Sequence, residues 1–75
     1  MSDPFAFLAQ ASLGTRVVVR TRIPGGYTDA LGFLRERSAA SVSVETKRGL
    51  VTLAMEDVVA AKDVPPAPEP RSRLL

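Results

Sequence analysis

The residue types that perform most protein chemistry are scarce in this chain, which has eight Asp and Glu side chains but no His and no Cys. Without His and Cys there is no Ser-His-Asp or Cys-His nucleophile pair, no imidazole or thiolate zinc site and no disulfide. The carboxylates are scattered, and no two of them have the spacing of an acid-base pair. The composition therefore predicts a binding module without catalytic, cofactor-binding or metal-binding residues.

Arginines form the first candidate binding surface. The pattern of residues 16–23 is that of a half-buried strand, in which successive side chains face inward and outward in turn. Arg16, Arg20 and Arg22 then lie on one outward face. Guanidinium groups bind phosphate in a bidentate manner, so this row is a candidate nucleic-acid interface. Single-strand binders also use stacking aromatic side chains, and we expect Phe33 to lie in the core. Acidic residues at outward positions are expected to pair with some of the arginines. A solvated face is therefore the favoured interpretation, with nucleic-acid binding as the alternative.

Tyr27 and Asp29 form the second candidate site, in the Gly-rich segment that follows Pro24. An aromatic ring beside a carboxylate is the start of a cage for a methylated ammonium group. Such a cage needs several aromatic walls, and the chain has one Tyr and no Trp. We therefore expect Asp29 to cap its own turn.

Three segments are expected to position these residues. In residues 1–13, Asp3-Pro4 has the form of a helix N-cap with Pro at the first helical position. Phe5, Leu8 and Ala9 then give a short apolar stripe, so we expect one or two helical turns that cover one end of a core. Docking of this helix to a partner is the alternative.

Residues 14–64 are predicted to form an all-β, five-stranded SH3-like barrel. Alternating apolar residues and tight turns place the strands near residues 16–23, 30–37, 41–46, 50–54 and 58–62. A loop is expected at 27–29, a bulge or bend at Gly32 and a 3₁₀ turn at 55–57. A helix over 57–62 is the local rival, but the segment is short and prolines follow it. The expected core consists of Val17, Val19, Leu31, Phe33, Leu34, Val42, Val44, Val51, Leu53, Val58 and Val59.

Residues 65–75 are expected to be a Pro-rich linker or tail. Four of its first six residues are proline, which favours polyproline II and a semi-rigid spacer of roughly 19 Å. A spacer of this kind separates a barrel from something that follows it.

Three strings carry a family resemblance: LGTRVVVR at 13–20, TDALG at 28–32 and VVAAKDVPPAP at 58–68. They resemble the N-terminal SH3-like domain of GNAT-type acetyltransferases from high-GC bacteria, a group often labelled histone-acetyltransferase-like. The resemblance implies that an acetyltransferase fold binding acetyl-CoA follows a domain of this type. The phosphate-cradling loop of that fold has no counterpart here, so no catalytic or cofactor residue is carried over.

The expected function is that of a non-catalytic accessory domain serving docking, substrate presentation or oligomerisation. Its expected partner is an acetyltransferase domain of the same polypeptide or another protein, and a free-standing nucleic-acid-binding module is the alternative. No stretch approaches the roughly 20 apolar residues of a membrane span, and the N-terminus lacks the basic region of a signal peptide. We therefore expect no membrane partner and a cytoplasmic location.

Overall fold

The computed structural model describes residues 3–65, in which a short helix precedes five antiparallel strands. The elements are helix α1 (Pro4–Gln10), strands β1 (Arg16–Ile23), β2 (Gly26–Arg37), β3 (Ser41–Thr46) and β4 (Gly49–Ala54), a 3₁₀ turn (Met55–Asp57) and strand β5 (Val58–Asp63). The predicted all-β, barrel-like fold with an N-terminal helix is confirmed. The predicted linker at 65–75 falls, except for Pro65, outside the described residues.

Helix α1 begins where the sequence predicts. The Asp3 carboxylate accepts a hydrogen bond from the backbone N–H of Phe5 at 2.9 Å, and Pro4 occupies the first turn, where its missing N–H has no consequence. The helix is only seven residues long and packs mainly on β5. Leu8 is its one fully buried residue and belongs to the core, a position absent from the expected core.

The strands form one antiparallel sheet in the order β4-β3-β2-β1-β5. β1 lies between β2 and β5, and its Val17, Val19 and Thr21 face inward. The register shifts between Arg20 and Thr21 against β5, and between Leu34 and Glu36 of β2 against β3. Such irregularities increase local twist and help a small sheet to curl around its apolar side. The buried apolar core consists of Leu8, Val17, Val19, Ala30, Leu34, Val42, Val44 and Val58.

The predicted inward orientation of Leu31 and Phe33 is wrong, because both side chains are 43% exposed on the outer face of β2. The inward positions of this strand are Ala30, Gly32 and Leu34. A Cβ atom at Gly32 would overlap the carbonyl oxygen of Glu45, so the backbone of β3 fills the space on the inner side. The large residues on either side of this glycine therefore lie on the outside.

Three other residues of the expected core are only half-buried. Val51 and Leu53 lie opposite Val44 and Val42, but β4 is an edge strand of the sheet that residues 3–65 form. Val59 follows the β1–β5 irregularity and is also half-buried.

The predicted loop at 27–29 is also wrong, because β2 begins at Gly26 and includes these residues. Pro24 and Gly25 alone close the hairpin, since Ile23 pairs directly with Gly26 and Gly25 adopts a φ of 87°. The expected irregularity in β2 lies beyond Leu34 and not at Gly32, which pairs regularly with Val17 and Thr46. Because β2 begins at Gly26 and not at residue 30, the outer face of the sheet extends as far as Tyr27.

The turn between β3 and β4 has two residues, Lys47 and Arg48, and is one residue shorter than the gap between the predicted strands 41–46 and 50–54, because Gly49 (φ 120°) already pairs with Thr46. The predicted 3₁₀ turn at 55–57 precedes β5. None of the helices within residues 3–65 is long and apolar enough to cross a membrane.

Candidate functional site

The five sequence-predicted site residues lie on one outer face of the sheet. Antiparallel pairing places Arg20 opposite Asp29 and Arg22 opposite Tyr27, with Arg16 further along β1. The side chain of Tyr27 is 59% exposed. The predicted arginine row and the Tyr27–Asp29 pair therefore form a single surface rather than two separate sites.

Asp29 binds Arg20 instead of capping a turn. Arg20 donates through Nε to Oδ1 at 2.9 Å and through Nη2 to Oδ2 at 3.3 Å. The hydrogen bond with Arg20 lowers the pKa of Asp29 and raises the pKa of Arg20. Both groups are exposed to solvent, so the pair fixes side-chain position more than it stabilises the fold.

A second ion pair confirms the expectation that outward acidic residues neutralise arginines. Arg35 donates through Nε to Oε1 of Glu45 at 2.7 Å. The guanidinium carbon of Arg35 also lies 5.4 Å from the centroid of the Phe33 ring, within range of a cation–π contact. One side of that ring is therefore already in contact with a cation.

The other two arginines of the predicted row, Arg16 and Arg22, differ in their exposure and in their partners. Arg16 is half-buried and donates through Nη1 to the carbonyl oxygen of Pro65 at 2.8 Å, while its own carbonyl accepts from the N–H of Val64. This side chain holds the chain against β1 beyond the end of β5. Arg22 is exposed and has no ion-pair partner within residues 3–65.

A groove of about 830 Å³ opens beside this face, a volume within the usual range of ligand pockets. Its apolar lining includes Leu31 and Phe33 of β2 and the half-buried Val51 and Leu53 of β4. Its basic residues are Arg16, Lys47 and Arg48, and its acidic residues are Asp29 and Glu45. We call this feature the β2–β4 groove.

Sequence reasoning missed this groove because it assigned Leu31, Phe33 and Leu34 to the same side of one strand. Residues 33 and 34 must face opposite sides, since side chains alternate along a strand. That alternation, combined with a glycine at position 32, was the signal that either Phe33 or Leu34 lies on the outer face of the sheet.

A second groove, of about 620 Å³, lies between α1 and the 3₁₀ turn. Phe5, Ala9 and Met55 line it together with Arg37 and Glu56. Arg37 also donates through Nη1 to the carbonyl oxygen of Ala11 and so secures the end of the helix. Within residues 3–65, no cluster of three or more acidic side chains is placed to hold a metal ion. The two grooves and the outer face offer contact surfaces.

Comparison with known protein families gives a match over most of the chain. The model of the Rv0428c N-terminal Sm-like domain matches residues 11–62, from the end of α1 to β5. The chain belongs to this family. An Sm-like domain is a small β-barrel-like fold, in agreement with the five-stranded sheet. The searches of curated proteins and of solved structures gave no match to the chain.

Proposed function

We propose that this chain is a non-catalytic docking domain, an accessory to an acetyl-CoA-dependent N-acetyltransferase that follows it in the same polypeptide. One observation carries the proposal: large apolar side chains lie exposed together on the outer face of the sheet. Leu31 and Phe33 are neighbours on β2, and Leu50 of β4, which is 61% exposed, lies opposite Glu45, the β3 partner of Phe33. Clusters of exposed apolar residues with polar surroundings mark sites of protein contact.

Two further observations support the acetyltransferase context. The matching family is described as the N-terminal domain of Rv0428c, which places a domain of this kind ahead of other sequence in that protein. The strings at 28–32 and 58–68 resemble the accessory domain of GNAT-type enzymes, where a Pro-rich segment leads to the acetyltransferase fold. In this arrangement the following fold binds acetyl-CoA and performs acyl transfer in the cytoplasm. The present domain supplies a contact surface.

The reading frame downstream of Leu75 tests this context. We expect it to continue for about 150–250 residues, the ordinary length of a domain, and to encode an acetyl-CoA-binding fold. A stop codon directly after Leu75 would contradict the proposal. Acyl transfer from acetyl-CoA by residues 1–75 alone would contradict the non-catalytic part of it.

Nucleic-acid binding is the second candidate function, and a specific observation favours it. Phe33 lies opposite Arg16 and Tyr27 lies opposite Arg22 on the same exposed face, so each aromatic ring has a basic neighbour on β1. Two of the face's arginines are engaged with Asp29 and Glu45, whose carboxylates also repel phosphate. Docking to protein is therefore the better supported function.

Titration with a single-stranded RNA decamer at two salt concentrations separates these functions. Binding that weakens steeply with salt would support the nucleic-acid candidate. Absence of binding at low salt would eliminate it.

A further inference from the structure

We propose that the β2–β4 groove binds an acidic peptide segment of the partner protein, with aliphatic side chains of that segment on the groove floor. The inference rests on the proposed docking function and specifies its site and the chemistry of its occupant. Three observations lead to it: an aliphatic floor, a surplus of basic groups at one end of the groove, and a net positive charge on the competing occupants.

The floor of the groove suits aliphatic side chains. Leu31, Val51 and Leu53 are aliphatic. Phe33 adds an aromatic ring, but one face of that ring already contacts Arg35. Nucleobases bind by stacking on free aromatic faces, of which this floor has few. Leucine or isoleucine side chains instead gain from any apolar surface that they cover.

The charge of the groove selects an anionic segment. Its two carboxylates, Asp29 and Glu45, are already paired with Arg20 and Arg35. Lys47 and Arg48 are exposed at the turn between β3 and β4, and neither forms an ion pair within the described part of the chain. The uncompensated charge at this end of the groove is therefore positive, and acidic residues of a partner would complement it.

Charge also opposes two other occupants. Two copies packed through the groove would bring like charges together, because the basic lining residues Arg16, Lys47 and Arg48 outnumber the acidic ones, Asp29 and Glu45. The chain's own residues 66–75 contain two arginines and one glutamate, so they too are net positive. A separate acidic segment is the complementary choice.

The probe is a blocked ten-residue peptide in which two leucines lie between acidic residues, added to residues 1–75 and followed by amide NMR. We expect the largest shifts at Leu31, Phe33, Val51 and Leu53. Binding should weaken as salt rises from about 50 mM to about 300 mM, because the Debye length shortens. A peptide with serines in place of the leucines should bind several-fold more weakly.

Two charge reversals of equal size locate the site. Arg48→Glu alters a groove residue, whereas Arg22→Glu alters an exposed residue of the same sheet outside the groove. We expect Arg48→Glu to weaken peptide binding by about tenfold, and Arg22→Glu by less than about twofold. Both positions are exposed, so neither change should unfold the domain.

Four results would overturn the inference: no peptide binding at low salt, equal losses in the two variants, an RNA decamer shifting the groove resonances where the peptide does not, or self-association that occupies the groove. None of them bears on the reading frame downstream of Leu75. An acetyltransferase fold found there, together with a peptide that fails to bind, would leave the docking function standing and place its surface elsewhere.

Discussion

Gly32 lies in β2 at a position where no side chain fits. A Cβ atom there would overlap the carbonyl oxygen of Glu45 and lie 3.0 Å from the Cα atom of Thr46. Both neighbours belong to the backbone of β3, so neither moves aside without disturbing the β2–β3 pairing. This one residue lets the two strands approach, and Leu31 and Phe33 on either side of it face outward.

Gly32→Ala should therefore destabilise the domain. We expect a loss of at least about 2 kcal/mol in the free energy of unfolding, as in other overpacked sites. Gly26→Ala is the matched control, because it lies in the same strand with nothing within 4 Å of an added Cβ. Urea unfolding of the two variants measures the difference, and equal stabilities would contradict the close approach of β2 and β3.

Asp29 should titrate below the ordinary carboxyl range, because Arg20 donates to it in the folded state. Its folded pKa is lower than its unfolded pKa, so the pair favours folding at neutral pH. That contribution disappears as the pH falls through the folded pKa of Asp29.

Carboxyl ¹³C NMR of the wild type and of Arg20→Gln measures this effect. We expect the pKa of Asp29 to rise toward about 3.9, the ordinary value, in the variant. The same midpoint in both proteins would show that Arg20 does not control the carboxylate.

At the scale of elements, α1 depends on tertiary contact. A seven-residue helix is too short to be stable alone. Its fully buried Leu8 joins the valines of β1 and β3 in the core, and Arg37 holds the carbonyl of Ala11 at the other end. The helix thus closes one end of the sheet, as the apolar stripe in residues 1–13 predicts.

Leu8→Ala should cost about 2–5 kcal/mol, the usual range for a buried leucine. Leu13→Ala, at a position 57% exposed, should change stability by less than about 0.5 kcal/mol. Urea unfolding compares them. A Leu8→Ala variant as stable as the Leu13→Ala variant would mean that α1 is not part of the core.

The strands differ in how much of their structure the sequence reveals. β3 alternates valine with polar residues, and in β1 the arginines at 16, 20 and 22 mark the outward positions, so both inward sides are predictable, and Val17, Val19, Val42 and Val44 are indeed buried. In β2 the apolar residues Phe33 and Leu34 are adjacent, and alternation alone does not say which faces inward. Pairing with β3 decides it, and that register is not readable from one strand.

In the candidate site, too, the features set by one strand are predictable from the sequence, and those set by strand pairing are not. The common face of Arg16, Arg20 and Arg22 follows from the period of one strand and is predictable. The partners Asp29 and Glu45 lie on other strands, and their contacts depend on register. The β2–β4 groove depends on three strands together and had no signal beyond the alternation around Gly32.

At the scale of the whole molecule, charge is unevenly distributed. The chain has a net charge of only +2. Five basic side chains nevertheless project from the outward side of β1, β2 and β5, against two acidic ones on the same face, Asp29 of β2 and Glu45 of β3. A surface of this kind steers acidic partners toward the face that carries Leu31 and Phe33. Electrostatic attraction and the apolar cluster therefore act at the same place.

The most direct test of the docking claim is the rate at which a thiol at position 31 reacts with a maleimide, measured by mass spectrometry in Leu31→Cys. Residues 1–75 contain no cysteine, so within them the label reports one position, and digestion before mass spectrometry isolates the peptide that carries position 31 from the longer polypeptide. Arg22→Cys, outside the groove, is the control. We predict that Leu31→Cys reacts at least about tenfold more slowly in the polypeptide encoded by the whole reading frame than in residues 1–75, because an interface covers position 31 in the longer protein. The control Arg22→Cys should react at the same rate in both proteins. Equal rates for Leu31→Cys in the two proteins would contradict docking through this face.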